Sequence, residues 1–247
     1  MKPRSDLLAR PAPRANRHGR TLGAGRDLRR RVLLHHTPIA LASTAGLWLL
    51  VSLVPTRGRG FSISRLASPT GDVALVLLGL TLLIGPANLL LGRRNPPNNY
   101  LRRDLGTWTA IYSIIHVIVG FQGHGGGAFG FVRYFVADGR LLTDSFGLGN
   151  WTGLAATVIV AGLLVLSTDR HVRELKAPAW KSLQRLNYTL FVLVVVHAIF
   201  YGALRQITRP FTLVLLVTVA VVFAGQSVGI WLWRGRNART AASRRER

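Results

Sequence analysis

Apolar residues along this chain fall into six long blocks, and polar or charged residues separate one block from the next. A helix needs about 20 mostly apolar residues to cross the hydrocarbon of a bilayer. The blocks approach that length at 32–54, 73–91, 105–121, 151–168, 186–204 and 211–233. The pattern therefore predicts an all-α fold, a polytopic membrane bundle of six transmembrane helices.

The two flanking segments differ from these blocks in composition. Residues 1–31 are rich in Arg, Pro, Ala and Gly and show no hydrophobic periodicity, which is typical of disorder. Residues 234–247 form a second basic segment. We therefore expect a disordered cytoplasmic tail at 1–31, a membrane domain at 32–233 and a basic cytoplasmic tail at 234–247.

The formal net charge of +23 does not change the prediction of a membrane protein. In a soluble protein such an excess would indicate a nucleic-acid partner, because basic faces neutralise phosphates. Here most Lys and Arg residues lie in the tails and connections, where they orient spans in the bilayer. We expect membrane lipid, and not nucleic acid, as a partner.

The connections differ in their content of basic residues. Two connections are rich in them and hold Arg93, Arg94, Arg102 and Arg103, and Arg170, Arg173, Lys176, Lys181 and Arg185. The other three hold Arg57, Arg59 and Arg65, Arg133 and Arg140, and Arg205 and Arg209. Because cytoplasmic segments retain the excess of Lys and Arg, we expect both termini in the cytoplasm.

Several classes of chemistry are excluded by composition and motif. Cysteine is absent, so the chain has no disulfide, thiolate metal site or cysteine-ligated iron–sulfur cluster. It also has no HExxH motif, no Gly-Lys-Ser phosphate loop and no GxSxG nucleophile turn. We assign no catalytic acid, base or nucleophile, and the histidines become the candidates for chemistry.

Two histidines, His116 and His197, lie deep within predicted spans. Each is twelve residues from a polar residue at the inner end of its span, Asp104 or Arg185. At a rise of about 1.5 Å per residue, both imidazoles lie about 18 Å from the inner boundary. Two spans that run in the same direction thus present histidines at one level, as the axial ligands of a haem iron require.

Small residues accompany His116 on its own predicted helix. Ser113 precedes it by three residues, Gly120 follows by four and Gly106 precedes by ten, so they share one face. A flat macrocycle could lie against such a face. Close packing of two helices through small residues is an equal alternative. The other five histidines, His18, His35, His36, His124 and His171, fall in the tail, at a span end or in loops.

Residues 70–201 resemble the ferric reductase-like transmembrane family. The resemblance rests on LRRDLG at 101–106 followed by Tyr112 and His116, and on WKSLQRLNY at 180–188 followed by His197. Within this family the chain is most similar to the haem-binding membrane subunits of bacterial methionine-sulfoxide reductases. The resemblance implies that His116 and His197 ligate one b-type haem. Gln184 departs from it, since those subunits have histidine there, which argues against a second, inner haem.

The resemblance implies an electron-transfer component of an oxidoreductase. We expect a membrane quinol or a separate flavoprotein to donate electrons, and no flavin domain within this chain. The acceptor is expected at the outer face, as a periplasmic or extracellular reductase or as ferric iron. Arg205 and Arg209, just outside His197, are candidates to pair with haem propionates. The alternative is a non-catalytic transporter or assembly factor in which both histidines are structural, and that alternative predicts a colourless protein.

Overall fold

The structure is a computed structural model that describes residues 29–54, 62–93, 100–123, 130–168, 182–205 and 210–245. Most of the tail predicted to be disordered lies outside these residues. The chain divides into two units, Met1–Pro38 and Ile39–Arg247. In the first unit the described residues are helical from Arg29, with a π turn at Val32–His36, where the Thr37 hydroxyl donates to the Val32 carbonyl.

Helices dominate the described residues. They are α1 (Thr37–Ser52), α2 (Ala67–Leu90), α3 (Tyr100–Gly123), α4 (Ser145–Leu166), α5 (Leu186–Phe200) and α6 (Pro210–Arg245). Six helical segments in the described part of the chain are long and apolar enough to cross a membrane, and they correspond to these helices. The predicted all-α fold with six spans is therefore confirmed.

Four helices extend beyond their apolar blocks, and one of them, α3, runs from Tyr100 to Gly123. Helix α2 begins at Ala67, six residues before the predicted span, and so includes Asp72. Helix α4 begins at Ser145 because the Asp144 carboxylate accepts a hydrogen bond from the backbone N–H of Gly147 at 2.8 Å and caps the first turn. Helix α6 continues to Arg245, well beyond residue 233, so the basic C-terminal segment is largely helical.

Helix α2 is the most buried of the six spans and contacts α3 on one side and α6 on the other. Small residues form the α2–α6 contact. A Cβ added to Gly79 would lie 2.9 Å from a Thr218 methyl, and one added to Gly229 would lie 3.1 Å from the Pro86 ring. Membrane helices commonly associate through such small residues, because without side chains their backbones can approach closely.

The contact between α2 and α3 is antiparallel. Arg102, near the start of α3, donates from Nε to the carbonyl of Thr81, in the second half of α2, at 3.2 Å. His116, in the second half of α3, reaches back to the first residue of α2. The core on this side consists of Ile39, Val73, Ala74, Leu77, Leu105 and Tyr112. A second core joins α2 and α3 to α4 and α5 through Leu78, Ala110, Ala156, Val160, Leu163 and Leu190.

A short hairpin precedes α4. Strands β1 (Val136–Ala137) and β2 (Arg140–Leu141) pair in antiparallel fashion. Their two-residue turn has positive φ at Asp138 (51°) and Gly139 (71°), the conformation that suits the twist of a tight hairpin. The hairpin follows the C-terminal end of α3 and leads into the first turn of α4, so it lies at the end of the bundle where both deep histidines are found.

Candidate haem site

His116 of α3 is held by the first turns of α2. Its Nδ1 lies 2.8 Å from the carbonyl oxygen of Ala67. Because a carbonyl can only accept, Nδ1 carries the proton and Nε2 keeps a free lone pair. Gly71, one turn further along α2, lies against the imidazole, and a Cβ added there would come within 3.0 Å of Nδ1 and 3.1 Å of Cε1. The missing side chain at Gly71 makes room for the ring.

His197 of α5 is held in the same way by α4. Its Nδ1 lies 2.8 Å from the carbonyl oxygen of Gly149, so this imidazole also carries its proton on Nδ1. Gly153, four residues after Gly149, faces the ring. A Cβ added to Gly153 would lie 2.8 Å from Nδ1 and 2.9 Å from Cε1. Each histidine therefore uses a carbonyl and a glycine spaced four residues apart on the neighbouring helix.

The two imidazole rings lie edge to face, at the end of the bundle that also holds the hairpin. Their ring centroids are 6.0 Å apart and their planes are inclined by 87°. Two metal–nitrogen bonds of about 2 Å on opposite sides of one iron place the centroids of axial imidazoles about 6 Å apart. The separation and the tautomer of both rings thus fit a haem iron bound between the two Nε2 atoms.

The rest of the described chain offers no other obvious metal site. Among the described residues, no group of three or more His, Asp or Glu side chains is close enough to hold an ion. Two imidazoles alone leave an iron without equatorial ligands, which a porphyrin would supply. The ligand set therefore fits haem better than a mononuclear zinc or iron centre.

Ser113 and Gly120 lie on α3 beside His116, as the sequence predicts for one helix face. Ser113 is half-buried. A Cβ added to Gly120, or to Gly106 on the same face, would meet no atom within 4 Å in the described structure. These glycines differ from Gly79 and Gly229, which touch a neighbouring helix, so among the described residues no helix packs closely against Gly106 or Gly120.

The remaining predicted contacts lie outside the described part of the structure. Arg209 is not described, and of Arg205 only the backbone is. Among the histidines assigned to loops or ends, His18, His124 and His171 also lie outside the described residues, whereas His35 and His36 belong to the π turn. The pairing of Arg205 and Arg209 with propionates therefore stays a prediction.

Sequence reasoning missed a cluster of aromatic and amide groups that adjoins His197. The Tyr201 ring lies 4.8 Å from the His197 ring, centroid to centroid, and its hydroxyl donates to the Asn150 side-chain oxygen. Asn150 in turn donates from Nδ2 to the carbonyl of Tyr134 at 2.9 Å. Burial raises the pKa of Tyr201 to about 12, with a smaller contribution from Tyr134, so the hydroxyl stays protonated. This cluster ties the ligand helix to the segment that carries the hairpin.

Asp72 is a second residue that the sequence analysis missed, because the predicted span began one residue later. It lies next to Gly71 inside α2, and one of its carboxylate oxygens is buried without a hydrogen-bond partner within the described structure. Ionisable groups inside a span are costly and are usually functional. Its sequence signal was simply an acidic residue at the margin of an apolar block.

The opposite end of the bundle contains Gln184, the residue that departs from the family pattern. Asn187 donates from Nδ2 to the Gln184 carbonyl at 3.0 Å and lies 3.4 Å from its side-chain oxygen. Tyr188 donates to Gln226, which donates to the Leu82 carbonyl at 2.8 Å. Amide and hydroxyl groups occupy this level in the described residues, in contrast to the histidine pair at the other end.

Comparison with known proteins adds a family match. A family model described as the ferric reductase like transmembrane component matches residues 70–196, about half of the chain. The match includes His116 but ends one residue before His197.

Individual relatives agree with this match. The protein-methionine-sulfoxide reductase heme-binding subunit MsrQ of Ralstonia nicotianae is 30% identical over 67% of this chain and 70% of its own length. MsrQ of Deinococcus radiodurans is 26% identical over 63% of this chain and 71% of its own length. The magnetosome protein MamZ of Magnetospirillum gryphiswaldense is 24% identical over 68% of this chain but only 23% of its own length.

Proposed function

The chain belongs to the ferric reductase-like transmembrane family, and from that premise we propose that it is a membrane b-type cytochrome subunit. In this proposal a single haem is held between His116 and His197. The observation that carries it is the pair of imidazoles 6.0 Å apart, each with Nδ1 committed to a backbone carbonyl and Nε2 left to bind metal. The names of two relatives, both heme-binding subunits, support the same cofactor.

A bound haem would supply one-electron redox chemistry between ferric and ferrous iron. The chain's own residues would hold it and tune it. The carbonyls of Ala67 and Gly149 fix the tautomer and orientation of the two ligands, and a hydrogen bond on Nδ1 makes Nε2 a stronger base. Gly71 and Gly153 let each ring lie directly against a helix backbone.

We propose a membrane quinol as the electron donor, with a separate flavoprotein as the second candidate. Oxidation of one quinol to a quinone releases two electrons and two protons, so each quinol serves two one-electron transfers. The acceptor lies at the outer face, and the names of the MsrQ relatives favour a reductase over ferric iron.

The orientation of the chain is part of the same proposal. The basic connections favour an orientation with both termini in the cytoplasm, in a bacterial-type inner membrane. The site would then lie nearer the outer face, because His116 and His197 are in the second halves of helices that run outward. An electron leaving the site would have a short path to an acceptor outside the membrane.

An optical spectrum of the detergent-purified protein, before and after reduction by dithionite, tests the proposal. We expect a Soret band and the sharpened visible bands of a reduced low-spin haem. A His36→Ala variant, which removes a histidine far along the sequence from both ligands, should give the same spectrum. Colourless protein purified from haem-sufficient cells would instead support the alternative of a transporter or assembly factor with structural histidines.

Reduction by a quinol analogue tests the donor separately. Anaerobic addition of a short-chain quinol to the oxidised protein should produce the spectrum of the reduced haem within the time of turnover. A protein that dithionite reduces but quinols do not would keep the haem assignment and remove the quinol. A flavoprotein donor would then be the remaining candidate.

A further inference from the structure

Helix α2 contains a proline within the span, and this proline leaves one backbone carbonyl without its usual donor. Pro86 lies inside α2. In an α-helix each N–H donates to the carbonyl four residues before it, but proline has no N–H. The carbonyl of Leu82 therefore lacks that donor. Leu82 is fully buried, so bulk solvent does not reach the carbonyl either.

Helix α6 provides the replacement donor. Gln226 donates from Nε2 to the Leu82 carbonyl at 2.8 Å. Gly229 follows Gln226 by three residues on the same face of α6 and lies against the Pro86 ring. Membrane helices tolerate an internal proline where a neighbouring helix satisfies the carbonyl that it frees. Helix α6 meets this requirement with a glycine beside the ring and an amide beside the carbonyl.

The same amide is also bonded to α5. Tyr188 donates to the side-chain oxygen of Gln226 at 3.2 Å. Tyr188 precedes His197 by nine residues on α5, about 13.5 Å along the helix axis. One side chain of α6 therefore joins the helix that carries His197 to α2, whose first residue, Ala67, is bonded to His116.

The other ligand helix is bonded to the same turn of α2. Arg102 of α3 donates from Nε to the carbonyl of Thr81 at 3.2 Å, and Thr81 directly precedes Leu82. Arg102 lies near the start of α3, whereas His116 lies in its second half. Polar side chains thus connect both ligand helices to consecutive carbonyls of α2, at the end of the bundle opposite to the histidine pair.

The two bonds of Gln226 also fix the direction in which its amide points. The amide NH₂ can only donate and the amide oxygen can only accept. Because Tyr188 donates to the oxygen while the NH₂ donates to Leu82, a flip of the amide would break both bonds. A partner for the Leu82 carbonyl alone would not require the bond to Tyr188.

We propose that Gln226 is a positioning residue for the haem ligands. It donates to the carbonyl that Pro86 frees and, through Tyr188, sets the rotation of α5 relative to α2. The rotation of α5 in turn sets the plane of the His197 ring against that of the His116 ring, from which it is inclined by 87°. The inference rests on the proposed function, because Gln226 acts through the two ligands.

The first test is a double-mutant cycle between Gln226→Leu and Pro86→Ala, measured as thermal midpoints of the haem-loaded protein. Leucine removes the amide at similar volume, whereas alanine restores an N–H that can donate to the Leu82 carbonyl. We expect Gln226→Leu alone to lower the midpoint by about 5 °C, because a buried carbonyl loses its donor. In the Pro86→Ala background the same substitution should lower it by about half as much or less.

Ser227→Ala, an exposed neighbour of Gln226 on α6, is the matched control and should keep the wild-type midpoint. An equal loss from Gln226→Leu in both backgrounds would overturn the link between the proline and the amide.

The second test reads the orientation of the ligands by electron paramagnetic resonance of the oxidised protein. The g values of a low-spin ferric haem depend on the angle between its two axial imidazole planes, and near-perpendicular planes give the highest value. Tyr188→Phe keeps the bond between Gln226 and Leu82 but removes the hydroxyl that holds α5. We expect a lower largest g value in this variant and a wild-type value in Ser227→Ala.

The double variant separates positioning from stability. Pro86→Ala with Gln226→Leu should recover most of the thermal midpoint, but its largest g value should stay low because the bond to α5 is still missing. An unchanged largest g value in Tyr188→Phe would overturn the positioning role. Protein without haem would overturn the proposed function instead, whereas the coupling between Pro86 and Gln226 can be measured in either case.

Discussion

The two histidines are held by the same device, but their surroundings differ. His116 is anchored by Ala67 and Gly71 of α2, and its ring has slightly more clearance, 3.0 Å against 2.8 Å for His197 beside Gly153. His197 also touches Tyr201, which connects through Asn150 to Tyr134 near the hairpin. The His116 side instead continues along α3 to Tyr112 and Trp108.

Because of this difference, we expect the two sides to serve different steps of electron transfer. The His197 side is tied to segments at the end of the bundle, where Tyr201 is 44% exposed, and it suits the exit of electrons to an acceptor. The His116 side adjoins the lipid-facing helix α1 and suits the entry of electrons from a membrane donor. Variants of the two sides should therefore fail in different ways.

The largest effect is expected for Gly153→Ala. The added methyl group would press on the His197 ring at 2.8 Å, and the ring cannot retreat without losing its bond to the Gly149 carbonyl. We expect haem content to fall about tenfold, in line with an overpacking cost of about 1–3 kcal/mol. Haem-to-protein absorbance ratios measure this. Gly162→Ala on the same helix meets nothing within 4 Å and should retain full haem content.

Gly71→Ala should give a milder version of the same defect. Its added methyl group would lie 3.0 Å from His116 Nδ1, a distance that a shift of a few tenths of an ångström relieves. We expect a loss of about two- to threefold in haem content, at the low end of the overpacking range. Gly46→Ala on α1, where an added methyl group meets nothing within 4 Å, is the control. A larger loss in Gly71→Ala than in Gly153→Ala would reverse the comparison.

Tyr201→Phe tests the connection on the His197 side. The variant leaves the Asn150 side-chain oxygen without its donor, which should cost about 1 kcal/mol of stability while haem content stays near that of wild type. Electron transfer to the outer acceptor should slow more than haem reduction by quinol. Stopped-flow measurement of both half-reactions separates them, and equal slowing of both would contradict an exit role.

The same residue predicts a pH dependence. The pKa of Tyr201 is raised to about 12 by burial, above the tyrosine value in an unfolded chain, so its stabilising contribution is complete below about pH 10. That contribution is lost as the pH rises from about 10 towards 12. The difference in thermal midpoint between wild type and Tyr201→Phe should therefore be constant from pH 7 to 9 and shrink at higher pH. A difference that grows with pH would contradict this assignment.

The smallest effect is expected for Gln184→His. The variant restores the family's histidine at the opposite end of the bundle, but Arg102 occupies the facing level of α3 and donates to the Thr81 carbonyl. We expect pyridine haemochrome assays to give one haem per chain in both the wild type and the variant. Two haems per chain in either would overturn the single-haem proposal.

The sequence predicted the six spans because length and hydropathy dominate membrane insertion. It did not predict all the bounds of α2, α3, α4 and α6. Polar residues such as Asp72 lower the local hydropathy without breaking the helix, although Asp144 before the first turn of α4 was a readable capping signal. The end of α6 is rich in Arg and Ala, which have a high helix propensity, but it lacks the apolar pattern of a span.

The candidate site was only partly accessible from sequence. The shared level of His116 and His197 follows from counting residues along two helices. The carbonyls of Ala67 and Gly149 and the ring contacts of Gly71 and Gly153 depend on which helices are neighbours, and one sequence does not encode that in any local pattern. Tyr201 and Trp108 stand out only in the three-dimensional structure, where Tyr201 has a hydrogen-bond partner and the Trp108 indole has none among the described residues.

The most direct test of the account is whether both histidines ligate the same iron. Electron paramagnetic resonance of the oxidised protein should show low-spin ferric haem in the wild type. His116→Gly and His197→Gly should each lose that signal, and added imidazole should restore it by filling the vacated ligand position. A low-spin signal that persists in either glycine variant without imidazole would contradict the assignment.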